Sequence, residues 1–101
     1  MDTKTLITEA KARFNHNSAK SYLKEKYNNK LLVAEQGGLW RADSNTINLL
    51  TLFTTDKVIL IDTFDNPVEV DRVELLTRLK DVYTDVMSQW LTEWKELEAK
   101  R

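Results

Sequence analysis

Between Leu75 and Leu97, apolar side chains recur at steps of three and four: Leu75, Leu76, Leu79, Val82, Tyr83, Val86, Met87, Trp90, Leu91, Trp94 and Leu97. That spacing holds them along one face of an α-helix. No Gly or Pro interrupts the run. Just ahead of it, Asp71-Arg72-Val73-Glu74 has the spacing of a capping box, with Asp in the first place. The pattern predicts a helix over 71–101, roughly 40 Å long. A weaker stripe opens the chain. Leu6, Ile7, Ala10 and Phe14 lie at helical spacing, and after Asn15-His16-Asn17-Ser18 the spacing resumes with Ala19, Tyr22, Leu23 and Tyr27. Asn and Ser compete for backbone hydrogen bonds, so residues 3–27 read as one helix with a weak point or as two. Asn28 and Asn29 are expected to stop it, because Asn tolerates the left-handed conformation of helix ends.

The middle of the chain changes period. Leu31, Leu32 and Val33 form a short apolar run with strand character, and Gln36-Gly37-Gly38 reads as a turn. Trp40 reads as an aromatic anchor before a short helix capped at Asp43 or Ser44, with Ile47, Leu49, Leu50 and Phe53 facing inward. Lys57 to Phe64 is β-branched and of strand length, Asp65-Asn66-Pro67 is a turn signature, and Val68 and Val70 continue an alternating strand. Residues 57–70 therefore predict a β-hairpin. The expected fold is α+β in a single domain over 1–101. Residues 1–29 are helical, 30–70 hold a short helix and an antiparallel hairpin (three strands if Leu31–Val33 joins), and 71–101 form the long amphipathic helix.

Composition narrows the function. Apolar residues at 42% and charged residues at 31% suit a soluble folded domain, and with no cysteine neither a disulfide nor a thiolate metal site can form. No stretch approaches the roughly 18 apolar residues of a membrane span, and the opening MDTKTLITEAK lacks the apolar core of a signal peptide. The net charge of −1 is unevenly laid out: residues 1–30 carry seven basic against three acidic groups, and residues 31–70 carry two against six. The basic segment alternates Lys with Glu9 and Glu25 and has no aromatic stacking platform, so nucleic acid is not the expected partner.

Candidate chemistry is sparse. His16, the sole histidine, lies in a polar stretch with no neighbouring carboxylate or thiol in sequence. Asp62, Asp65, Glu69 and Asp71 do not match the twelve-residue calcium loop, and each has a structural reading: Asp65 in the turn, Asp71 as a cap, Asp62 and Glu69 on the solvent side of the hairpin. Gly37-Gly38 is too little glycine for a phosphate loop. No catalytic, metal-binding or cofactor-binding residue is assigned, and the chain is expected not to be an enzyme. The question left is what covers the far end of the long helix. Either the first helix folds back, with Leu6, Ile7 and Phe14 on Trp90, Trp94 and Leu97, or Tyr83, Met87, Trp90, Trp94 and Leu97 meet another copy or another protein.

The order of these pieces carries a resemblance over residues 18–101. A basic helix and a Gly turn precede Arg41-Ala42-Asp43-Ser44-Asn45-Thr46-Ile47-Asn48-Leu49-Leu50; the hairpin Phe64-Asp65-Asn66-Pro67-Val68-Glu69-Val70 follows; and a Leu-rich helix closes on Trp94, Leu97 and Glu98-Ala99-Lys100. This is similar to an uncharacterised domain at the C-terminal end of bacteriophage tail and tail-fibre-associated proteins, with Phe64 where a Trp is common there. The resemblance implies a setting and transfers no functional residue. In that setting the expected function is that of a non-enzymatic phage protein acting by protein–protein interaction, a minor tail or baseplate component or an assembly helper that binds a phage structural protein; homo-oligomers are expected through the apolar face of the long helix. The alternative is a small phage effector that inhibits a host protein. Its place would be the host cytoplasm or the virion.

Overall fold

The computed structural model describes the backbone of residues 3–100 and the side chains of residues 16–100. Three helices and two separate antiparallel hairpins make an α+β fold. Helix α1 (Thr3–Lys30) leads into β1 (Leu32–Glu35) and β2 (Gly38–Arg41); α2 (Ser44–Leu52) follows, then β3 (Lys57–Ile61), β4 (Pro67–Asp71) and α3 (Arg72–Ala99).

Residues 3–27 lie in one helix, which runs on to Lys30. The polar stretch does not break it: Asn17 and Ser18 are exposed, where each costs only tenths of a kcal/mol of propensity, about 0.5, against Ala. The stop differs from the expected one, since neither Asn28 nor Asn29 is left-handed. Instead Leu31 N–H bonds Asn28 C=O at 3.2 Å, and buried Leu31 turns the chain into the first hairpin.

That first hairpin was legible only in part. Gln36 (φ 49°) and Gly37 (φ 80°) form a two-residue left-handed turn, the kind whose twist suits paired strands. Leu32 pairs with Arg41, Val33 with Trp40 and Ala34 with Leu39. Trp40 is therefore a mid-strand residue and not the foot of a helix. Its Nε1 donates to Glu35 C=O at 2.8 Å, and its ring fills the space where a side chain on Gly38 would go. The Gln36 amide also clamps the backbone of Asp71, accepting from its N–H at 2.7 Å and donating to its C=O at 3.2 Å. This ties the hairpin turn to the start of α3. The expectation that Leu31–Val33 would add a third strand to the later hairpin fails, because β1 and β2 pair with each other alone.

The caps and the second hairpin follow the pattern closely. Asp43 caps α2 through Thr46 N–H at 2.9 Å, and Asp71 caps α3 through Glu74 N–H at 3.0 Å. In β3 and β4, Val58, Leu60 and Val70 point inward and are buried. They meet Leu50 of α2 and Leu75, Leu79 and Val86 of α3 in one core with Tyr27, Val33 and Trp40. Full burial of such aliphatic side chains stabilises by about 1.5–3 kcal/mol each. The hairpins and α2 cover only the first half of α3; α1 runs antiparallel along the second half, with Lys30 opposite Gln89 and Lys26 opposite Glu93. The result is 65 × 24 × 20 Å, with a radius of gyration of 19.2 Å against about 13 Å for a compact chain of this length.

Candidate functional site

Among the described residues, two surfaces gather several uncovered large apolar side chains, one on α3 and one where α2 meets β3. The first contains the residues singled out from the sequence, and the structure divides them. Trp90 stacks on Tyr27 of α1, the rings 6.0 Å apart and within 10° of parallel. Leu97 lies beside Ala19 and Leu23, so it and Trp90 belong mainly to the α1–α3 contact, and Tyr83 packs against the core. Met87, Trp90, Leu91 and Trp94 line a shallow hollow of about 220 Å³, with Leu91 and Trp94 51% and 38% exposed. Leu91 was not singled out, although the step 87, 91, 94 places it on the same stripe. Whether Leu6, Ile7 and Phe14 reach Trp94 concerns side chains outside the described residues.

A charged cluster pins α1 to α3 beside this stripe. The Glu93 carboxylate accepts from Lys26 Nζ at 2.7 Å and from the buried Tyr27 hydroxyl. These bonds hold Glu93 below the usual carboxylate range, the Lys26 bond first and the Tyr27 bond second. The same carboxylate raises Lys26 and Tyr27 above their ordinary values. Lys30 bonds Gln89, and both lysines lie over the Tyr27 ring at 5.0–5.2 Å. Further along the same contact, His16 Nε2 is 3.1 Å from Glu98 Oε1, so the fold supplies the carboxylate neighbour that the sequence around His16 lacks.

The second surface is a groove of about 420 Å³ whose lining includes Leu39 to Arg41 of β2, Leu49 of α2, Phe53 just past its end, and Ile59 to Thr63. Leu49 and Phe53, expected to face inward, are 45% and 37% exposed; α2 is only nine residues long, and Leu50 alone is buried in it. Ile59 and Ile61 are 68% and 62% exposed on the outer face of β3. Phe64 is equally exposed. Strand periodicity does not reveal that this second face stays bare.

Asp62 closes one end of the groove and corrects the reading of it as solvent-facing. It is 6% exposed. Its Oδ1 accepts from the N–H groups of Phe64 and Asn66, both at 3.0 Å, and Oδ2 from Leu39 N–H at 3.2 Å. These backbone bonds, that of Asn66 foremost, hold its carboxyl below the ordinary value. Asp62 thus folds the Asp65 turn, where φ is 63°, and joins the two hairpins. Nothing in the local sequence separates this acid from Glu69, which is exposed.

Among the described residues no group of three or more His, Cys, Asp or Glu comes together as a metal site, and no helix is long and apolar enough to cross a membrane. The acidic middle is dispersed: Asp43 and Asp71 cap helices, Asp62 is enclosed, and Glu35 lies 3.8 Å from Arg78. No family model, no curated protein and no solved structure matches the chain.

Proposed function

We propose that this protein works by binding other proteins and carries out no catalysis of its own. The observation that carries the reading is the Met87–Leu91–Trp94 stripe: large apolar side chains on a helix whose adjacent face is already occupied by α1, left open beside a shallow hollow. Indole and aliphatic groups held on a rigid helix are the usual anchors of a helix-mediated interface. Of the expected interface residues, Trp94 and Met87 anchor the partner, Leu91 joins them, and Trp90, Tyr83 and Leu97 support the helix from behind.

The setting we propose is a bacteriophage tail or its assembly, with a phage structural protein as the partner. It rests on the resemblance of Arg41–Leu50, Phe64–Val70 and Trp94–Lys100, segments that serve here as caps, turn and helix end. Inhibition of a host protein is the second reading.

Leu91→Asp/Trp94→Asp tests the proposal. Both positions are solvent-accessible, so the thermal transition should survive while incorporation into purified particles, read by quantitative mass spectrometry, is lost. Wild-type protein absent from particles sinks the tail role, and a doubly substituted protein that still incorporates sinks the stripe.

A further inference from the structure

Strand β3 is only half used by the fold. Its even-numbered positions face β4: the ladder is closed by Arg72 N–H to Asp56 C=O at 2.8 Å and by Asp62 N–H to Asn66 C=O at 3.0 Å. Main-chain groups alternate sides along a strand. The N–H and C=O of Lys57, Ile59 and Ile61 therefore point away from β4. On that edge β2 makes contact at Leu39, whose C=O accepts from Thr63 N–H at 3.0 Å, and no ladder continues from there. Lys57 C=O takes the Thr55 hydroxyl at 3.0 Å. Among the described residues, the outward main-chain groups of Ile59 and Ile61 have no protein partner. An apolar edge of this kind is normally blunted by Pro, a bulge or charge; Lys57-Val58-Ile59-Leu60-Ile61 has one lysine, at its start.

We infer that a second copy of this chain docks here, its β3 pairing antiparallel with β3 about a two-fold axis at Ile59. Three features point to a copy of the same chain. The register is self-complementary: Ile59 faces its own counterpart and Lys57 faces Ile61 of the second copy, so every outward N–H and C=O on the edge gains a partner. The charges agree with it. The two Lys57 residues lie four positions apart along the paired strands, about 13 Å, beyond the screening length of about 8 Å, and Asp62, the carboxylate lining the groove, is already saturated by three N–H groups.

The third feature is exposure. Leu49, Phe53, Ile59 and Ile61 border the same groove and each leaves more than a third of its surface open, Ile59 and Ile61 most. Apolar side chains left open together along a strand edge mark an interaction surface. The groove of about 420 Å³ between β2 and β3 gives room for the incoming strand end. This contact is independent of the α3 stripe, which offers side chains but no main-chain groups to set a register.

Light scattering across a concentration series reads the outcome. The wild-type mass should rise to twice the 11.8 kDa of one chain, and the Ile59 and Ile61 amides should become protected from hydrogen exchange as it does. Ile59→Lys sets two like charges directly opposite each other at the axis and should give a monomer, as should Ile59→Glu. Mixing the two variants should restore the double mass, a recovery that a misfolded variant cannot produce. A wild type that stays monomeric at about 1 mM, a dimeric Ile59→Lys, or a mixture that stays monomeric overturns the inference. So does a dimer that dissociates on Leu91→Asp/Trp94→Asp and not on Ile59→Lys, which would assign the second copy to α3.

Discussion

Gly38 has no side chain because the Trp40 ring stands where one would be: a Cβ there would come within 2.5 Å of the indole. Gly38→Ala should therefore displace Trp40 from the core and weaken its bond to Glu35, at a cost of about 1–3 kcal/mol in chemical denaturation. Gly37 is a glycine for a different reason, its φ of 80°, and no heavy atom lies within 4 Å of where its Cβ would go. Asn is the tolerated replacement there, since it adopts left-handed backbone most readily after Gly. From sequence the pair reads only as a turn. The second reason becomes visible when β2 folds Trp40 back over Gly38. Asp62 shows the same limit: its three N–H donors come from 23 residues back and from two and four residues ahead, and only the folded chain assembles them.

At the scale of elements, α3 was the most legible because its apolar steps of three and four are long and unbroken, and Asp71 caps it as its spacing predicts. Its two halves do different work. Leu79 is fully buried among the hairpins and α2, whereas Trp94 is 38% exposed. Leu79→Ala should cost about 3 kcal/mol, within the range for emptied core sites. Trp94→Ala should cost no more than about 1 kcal/mol, and urea unfolding of the two variants side by side measures the difference. A Trp94→Ala as damaging as Leu79→Ala would place the indole in the core and end the interface reading. The β1–β2 hairpin was less legible, because four-residue strands carry too little periodicity and Trp40 fits a helix anchor equally well.

For the molecule as a whole, the contact between α1 and α3 together with the Asp62 turn gives stability a pH dependence with two limbs. Glu93 and Asp62 have lowered pKa values in the folded state, so their contribution is complete above the ordinary carboxylate range and is lost as the pH falls through the lowered values, below about pH 4. Tyr27 and Lys26 are raised, so theirs is complete below about pH 10 and is lost as the pH climbs through the raised values. Melting temperature should be level between and fall at both ends. Glu93→Gln removes the carboxylate behind three of the four shifts and should shrink both limbs, leaving an acid limb from Asp62. An unchanged alkaline limb in that variant would show that Glu93 does not hold Tyr27 and Lys26 in solution.

The sequence by itself determined the α+β class, the long C-terminal helix, the second hairpin and the cap at Asp71, because each rests on spacing or on a side chain bonding its near neighbours; it left open whether residues 3–27 are one helix or two and whether Asp43 or Ser44 caps α2. Tertiary structure decided which apolar faces stay open. Periodicity shows that Ile59, Phe53 and Trp94 are apolar at regular steps, but whether a face is covered depends on the reach of the element opposite. Here two short hairpins and one nine-residue helix are too small to cover the outer side of β3, and α1 covers only one face of the far half of α3.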